Sequence, residues 1–251
     1  MDILELKKTS FLYTQRHPWE VTRAKIIHDL IKKNGKKFNH LLDVGSGDAY
    51  VLNQLCRHSV ADNYTAIDTA YEPDIIEQII STNTCTINFM SRLPDQMQLP
   101  PDLILLLDVI EHCENDATIL EDIKNISSGE FKLIITVPAY QSLFSKHDEL
   151  LHHHRRYSLN QLKDLCKTEG LKIEQAGYFF FSIMLIRWVQ LFLEKIGLRK
   201  PDKTINNWKG KKWITSVFTF LLWADYKIGR FFLAIGFRLP GLSAYCICHP
   251  L

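Results

Sequence analysis

The stretch LLDVGSGDAY, residues 41–50, limits the possible folds more than any other part of this chain. An apolar run ends in Asp43, Gly45 and Gly47 follow, and a helical pattern opens at once. Glycine at both positions permits a tight turn and lets a ligand approach the backbone. Further short apolar runs lie at 40–44, 64–68, 85–89, 103–108 and 132–137, and helical patterns at 50–58, 73–80, 115–127 and 159–169. Several of the runs are continuously apolar, as strands of a parallel sheet covered on both faces must be. HPWEVTRAKIIHDLIKKNGKK reads as an amphipathic helix, with Pro18 near its first turn and Gly35 at its stop. The expected fold is α/β, a doubly wound, mostly parallel seven-stranded sheet in a single domain over 1–251. Within it, 1–39 would be a helical cap, 40–180 the core, 181–240 a helical insertion and 241–251 (SAYCICHP) a last edge strand.

Composition narrows the function. With 251 residues, 46% hydrophobic and 23% charged, the chain is not a disordered one. A net charge of +2 gives no general affinity for nucleic acid. The six cysteines form no Cys-x-x-Cys pair and the start has no apolar signal core, so a reduced, cytoplasmic protein is the default expectation. The charge is uneven. From Glu194 onward there are ten lysines and arginines against three acids. That tail also carries the apolar stretch WITSVFTFLLWA, and YFFFSIMLI precedes it, yet neither reaches the roughly 18–20 residues of a spanning helix.

Asp43 and Asp48 bracket the glycine turn. Carboxylates there would repel a pyrophosphate but suit a ligand carrying an ammonium and a sulfonium. A dinucleotide fingerprint would need a third glycine at position 50, where Tyr50 stands. Asp68, ending the second strand, can accept hydrogen bonds from two ribose hydroxyls, or cap the helix near Pro73. Asp108, Glu111 and His112 fall where the fourth strand opens onto the same sheet edge. His112 and Cys113 are adjacent and no third ligand lies at useful spacing, so no metal is expected. The loop SKHDELLHHHRRY (145–157) offers histidines as general bases and Arg155 and Arg156 for an anionic substrate group. The plain alternative is a polar loop before a helix capped by Ser158 and Gln161.

DVGSGDA, then AID at 66–68, then LLLDVIEH at 105–112, together resemble the class I S-adenosylmethionine-dependent methyltransferases. The likeness is greatest to the small bacterial subgroup with a DVLEH-type motif, similar to ubiquinone-biosynthesis-type enzymes. RHPWEVTRAKII (16–27) and the segment 137–165 look like that subgroup as well. The resemblance implies S-adenosyl-L-methionine as cofactor, with Asp43, Gly45 and Gly47 under its methionine part and Asp68 on the ribose. Phe89, Met90, Leu107 and Asp108 would lie around the adenine and the ligand's far side. It implies His147 or His153 as base, Asp148 orienting it, and Arg155, Arg156, Tyr157 and His112 near the substrate. Two departures stand out. Ala49 replaces a usual glycine and, because alanine tolerates helical angles, is expected to tighten the pocket slightly rather than abolish it, and Phe89, Met90 and Ser91 replace the usual acid after the third strand, so that adenine would be held mainly by apolar contact.

The resemblance points to methylation of a small or lipid-attached acceptor, most simply at a hydroxyl. The basic, aromatic tail suits the anionic inner face of a membrane, a lid over the sheet, or a dimer contact. Two other classes stay open: a non-catalytic cofactor-binding module, and an NAD-type oxidoreductase.

Overall fold

The computed structural model describes residues 16–32, 37–127, 129–198, 208 and 210–251. Strands β1 (Phe38–Val44), β2 (Ala61–Ile67), β3 (Asn88–Met90), β4 (Leu103–Leu107), β5 (Lys132–Pro138), β6 (Leu171–Phe179) and β7 (Ser243–Pro250) form one sheet. Their order is β3-β2-β1-β4-β5-β7-β6, and β7 runs antiparallel to both of its neighbours, so the expected last edge strand is an inner one and β6 forms that edge. Helices α1 (Pro18–Lys32), α2 (Tyr50–Arg57), α3 (Pro73–Thr82) and α4 (Asp116–Ile126) belong to the first half of the sheet. Then come α5 (Lys146–Leu150), α6 (Leu159–Thr168), α7 (Phe181–Lys195) and α8 (Lys212–Ala234).

Alternation along the strands builds two cores. Leu41, Leu103 and Leu105 face α1, α2 and α3, whereas Leu42, Ile104 and Leu106 face α4 and α6. Register fixes the working edge. Asp43 lies beside Ala66 of β2 and Leu105 of β4, so β1, β2 and β4 end together where the strand order reverses. Crevices at such a reversal, outside the carboxyl ends of the strands, are where this architecture binds ligands.

Most expected elements form within a residue or two of their sequence limits, and the Ser158–Gln161 capping box is present at α6. Gly35 and four cations of the tail (Arg199, Lys200, Lys203, Lys209) lie outside the described residues. The third strand is short and begins at Asn88 rather than at 85, where pairing with Thr65 of β2 starts, and Cys85 just before it is joined to Cys56 at the end of α2, with Cα atoms 6.3 Å apart. The expectation of six reduced thiols therefore fails for this pair. Twenty-nine residues separate them, and only the packing of α2 beside the chain entering β3 brings them together.

No helix among the described residues is long and apolar enough to cross a membrane. Helix α8 lies along α1, where the Tyr226 hydroxyl donates to Asp29 at 2.8 Å and Lys227 pairs with the same carboxylate. Its opposite face presents Trp213, Val217, Phe220, Ile228, Phe231 and Ile235 to solvent, at the spacing of one helical stripe. Helix α7 buries none of its fifteen residues. Leu105 has no exposed surface at the centre of the sheet. Leu105→Ala is expected to cost about 2–5 kcal/mol of unfolding free energy, measured by urea denaturation.

Candidate functional site

After β1 the backbone turns through Gly45 (φ 70) and Gly47 (φ 55), both left-handed. The Gly45 and Ser46 amides donate to the carbonyl of Ile67 at 2.8 and 3.0 Å, which pins the turn to β2. A Cβ on Gly45 would stand 2.5 Å from Cγ2 of Val109, so glycine is required there by the chain that follows β4. Ala49 also takes a left-handed conformation, φ 54. The helical angles expected to accommodate an alanine here are not the ones adopted: Ala49 precedes α2, which starts at Tyr50 as expected, and bears about 1–2 kcal/mol of local strain.

Four carboxylates meet at this edge. Asp43 is buried, its Oδ1 has no hydrogen-bond partner among the described residues, and burial pushes its pKa up to about 7 despite the nearby Arg23 guanidinium. Burial would also raise Asp48, but Arg16 on that carboxylate holds it below the usual range. Arg16 stacks over Tyr50 at 4.3 Å as well. Asp68 accepts from the Gly47 amide at 2.9 Å and the Ala70 amide at 3.0 Å, bridging the glycine turn to β2. Asp108, left-handed at φ 57, is held between Thr136 Oγ1 at 2.9 Å and Arg23 Nη1 at 2.9 Å. Leu107 is buried just before it. Phe89 and Met90 lie half-buried at the end of β3, with Phe89 edge-on to Tyr71 at 5.4 Å.

The 145–157 loop closes the other side. Asp148 is fully buried and is the hub of the loop. It accepts from Arg156 Nε at 2.7 Å and Nη2 at 3.1 Å, shares a hydrogen bond with His153 Nδ1 at 3.0 Å, and caps Ser145 at 2.9 Å. Burial works against its charge, but the His153 and Arg156 hydrogen bonds hold its carboxyl well below the usual range. The His154 amide donates to the Glu111 carbonyl at 2.8 Å, which brings the His153 ring to 4.6 Å from His112, edge-on. Glu111, on the single turn Ile110–His112, has no exposed surface, and among the described residues neither carboxylate oxygen has a side-chain hydrogen-bond partner. Burial, and then Asp108, raise its pKa well above normal. His147 is half-buried and its pKa is lowered by burial, with Asp148 opposing that shift.

The arginines and Tyr157 occupy positions the sequence did not suggest. Arg156 is spent on Asp148, Arg155 on Asp116 and the Glu114 carbonyl, and the buried Tyr157 donates to Asp116 at 2.7 Å. Their donors point to the chain itself. Sequence reasoning also missed Arg16 and Arg23, although both lie in the RHPWEVTRAKII segment, and Tyr71, which bonds Ser46 and the Gly47 carbonyl, each at 2.8 Å.

A family model described as a methyltransferase domain matches residues 17–176. The chain belongs to that methyltransferase family. No curated protein matches the sequence. Among solved structures, it resembles a putative sarcosine dimethylglycine methyltransferase from Galdieria sulphuraria at 13% identity and TM-score 0.57, covering 91% of this chain and 85% of that one. It also resembles the plantazolicin methyltransferase BpumL, solved with S-adenosyl-L-homocysteine (SAH), at 16% identity and TM-score 0.56, covering 93% and 84%. The N-methyltransferase NodS from Bradyrhizobium japonicum WM9, also solved with SAH, matches at 16% identity and TM-score 0.50, covering 64% and 80%.

Two consequences for this methyltransferase can be measured. Removing Arg156 strands a buried carboxylate, so Arg156→Ala is expected to cost about 3–5 kcal/mol in urea denaturation. In the unfolded chain Asp43 ionises near the ordinary carboxylate value of 3.8, whereas in the fold it keeps its proton to about pH 7. Its contribution to stability is therefore largest below pH 4 and is lost as pH rises through 7. Asp43→Asn should flatten that part of the stability–pH profile, read from urea midpoints at pH 5 and pH 8.

Proposed function

We propose that this methyltransferase uses S-adenosyl-L-methionine and transfers its methyl group to a hydroxyl of a small or lipid-attached acceptor. The observation that carries the reading is the buried Asp43 carboxyl, with Oδ1 unpartnered, beneath the Gly45–Gly47 turn at the sheet's point of reversal. A ligand with an ammonium group supplies the missing partner, and a pyrophosphate does not. The cofactor brings an activated methyl on a sulfonium, so the chain need only bind, align and handle one proton. Asp68, which accepts from the Gly47 and Ala70 amides at the end of β2, is placed to hold ribose hydroxyls. Phe89, Met90 and Tyr71 offer an apolar wall for adenine, Leu107 and Asp108 line the ligand's far side, and Arg23 can turn from Asp108 to a ligand carboxylate.

In the transfer, the acceptor oxygen bonds to the methyl carbon as the carbon–sulfur bond breaks, and its electron pair stays on sulfur. The hydroxyl proton must leave, and this is what favours an oxygen acceptor here. Asp148 fixes the His153 ring at this edge through Nδ1, with His147 close by in the loop. A lipid-attached acceptor follows from α7, which is tied to the loop by Arg187 donating to Ser145 at 2.8 Å and which exposes Leu185, Ile186, Trp188 and Phe192. Such a face, in a basic segment, suits a peripheral position on an anionic membrane.

Calorimetric titration with SAH tests the cofactor site, with Asp68→Ala expected to abolish binding. Wild-type protein that binds no SAH would sink the reading. With hydroxylated lipids as acceptors, His153→Ala is expected to lower kcat by about 10²–10⁴-fold while SAH affinity is unchanged. Equal partition of the protein onto neutral and anionic vesicles would remove the membrane part alone.

A further inference from the structure

We infer that the Cys56–Cys85 bond is a reversible redox site, open to exchange with small dithiols and disulfides, and that its state sets how firmly the cofactor edge is held. Cys56 is in the last turn of α2 and Cys85 lies just before β3, so the bond closes a loop that carries β2, Asp68 and α3. The other four cysteines are free, and Cys166, Cys246 and Cys248 are buried together in the second core.

Two paths run from the bond to the site. Along α2 it leads to Tyr50 and the glycine turn, where Arg16 holds Asp48 and stacks over Tyr50. Through β3 it leads to Met90, whose carbonyl accepts from the Asp68 amide at 3.2 Å. Phe89 beside it meets Tyr71 edge-on, and Tyr71 donates to the Gly47 carbonyl at 2.8 Å. By itself β3 is a weak anchor for these contacts. It is three residues long, lies at the edge of the sheet, and pairs with β2 alone among the described residues. Short edge elements open at low free energy. A covalent tie to α2, whose Leu52 and Leu55 have no exposed surface, limits that opening. Arg57 Nε donates to Thr84 Oγ1 at 3.1 Å, a second link that survives reduction and keeps the two thiols near each other for reoxidation.

Both cysteines are half-buried, so a sulfur is within reach of a thiolate from solvent. In reduction, a dithiol's thiolate attacks one sulfur, the S–S bond breaks, and the other sulfur leaves as a thiolate and takes a proton. The reductant's second thiol then displaces the first sulfur from the mixed disulfide. The pair gains two electrons and two protons, and the reductant ends as a disulfide. A small disulfide such as oxidised glutathione runs the exchange backwards. The Arg57 guanidinium, held on Thr84 next to Cys85, is the cation that favours a thiolate here. The exchange chemistry stands by itself; its effect on affinity rests on the cofactor reading above.

The test compares full-length protein equilibrated with oxidised glutathione and with dithiothreitol, beside Cys56→Ser/Cys85→Ser. Peptide mapping should find Cys56 joined to Cys85 in the first buffer and both as thiols in the second. SAH affinity by calorimetry is expected to fall about 10-fold on reduction, as when β3 stays docked in about one molecule in ten, and to return on reoxidation. The double variant should keep the lower affinity in both buffers. Hydrogen exchange read by mass spectrometry should quicken on reduction in peptides covering 45–50 and 86–91. A pair that stays unjoined in the oxidising buffer, or that resists dithiothreitol in the native protein, would overturn the proposal. So would equal SAH affinity in the two states, or a response to dithiothreitol that persists in the double variant. If wild-type protein binds no SAH in either state, the cofactor reading fails, and the exchange rates decide the redox site alone. Faster exchange in the reduced protein then supports it, and equal rates overturn it.

Discussion

Val109 leans into the space that a side chain at position 45 would fill, and this contact joins two parts of the site that are far apart in sequence. The turn after β1 and the turn after β4 cannot be placed independently. Gly45 must be left-handed and bare for Val109 to seat, and Val109 must seat for Asp108, Glu111 and His112 to reach the same edge. The 145–157 loop hangs on that turn through the Glu111 carbonyl.

The second constraint is charge. Asp43, Asp48, Asp68 and Asp108 crowd the edge, and carboxylates at such spacing raise one another's energy. The structure answers with cations from outside the sheet: Arg16 on Asp48, and Arg23 on Asp108 with an influence on Asp43. Arg23 belongs to α1, and α1 is held down by α8 through Tyr226 and Lys227. The aromatic helices before the last strand are therefore mechanically linked to the acid balance of the site. Asp68 follows a different solution, using backbone amides of the turn and its own loop.

What was legible in the sequence is what depends on local pattern. Continuous apolar runs and the glycine turn gave the strands, their parallel character and the residues at their carboxyl ends, because periodicity and turn chemistry act over a few residues. The capping box at Ser158 was legible for the same reason. Contacts across long separations were not. Arg155 and Arg156 looked like anion binders, since nothing local shows that Asp116 and Asp148 claim them. The Cys56–Cys85 bond depends on where α2 ends relative to β3. That His153 lies beside His112 was not legible either, because it is 41 residues away and is delivered by an amide–carbonyl bond no pattern encodes. Ala49 misled for a subtler reason: alanine prefers right-handed angles, and the turn's geometry overrides that preference.

The reversed strand β7 has a consequence for the order of assembly. It lies between β5 and β6, and among the described residues β6 has no other partner in the sheet. During synthesis β6 emerges first, followed by both apolar helices, while its hydrogen-bonding edge still lacks a neighbour. Until residues 243–250 arrive, a newly made chain carries an open strand edge at β5, an unpaired β6 and two oily helices at once. Such an intermediate is prone to self-association. The last strand thus acts as the closing stitch of the sheet, and a ribosome-bound chain is most vulnerable just before it is made.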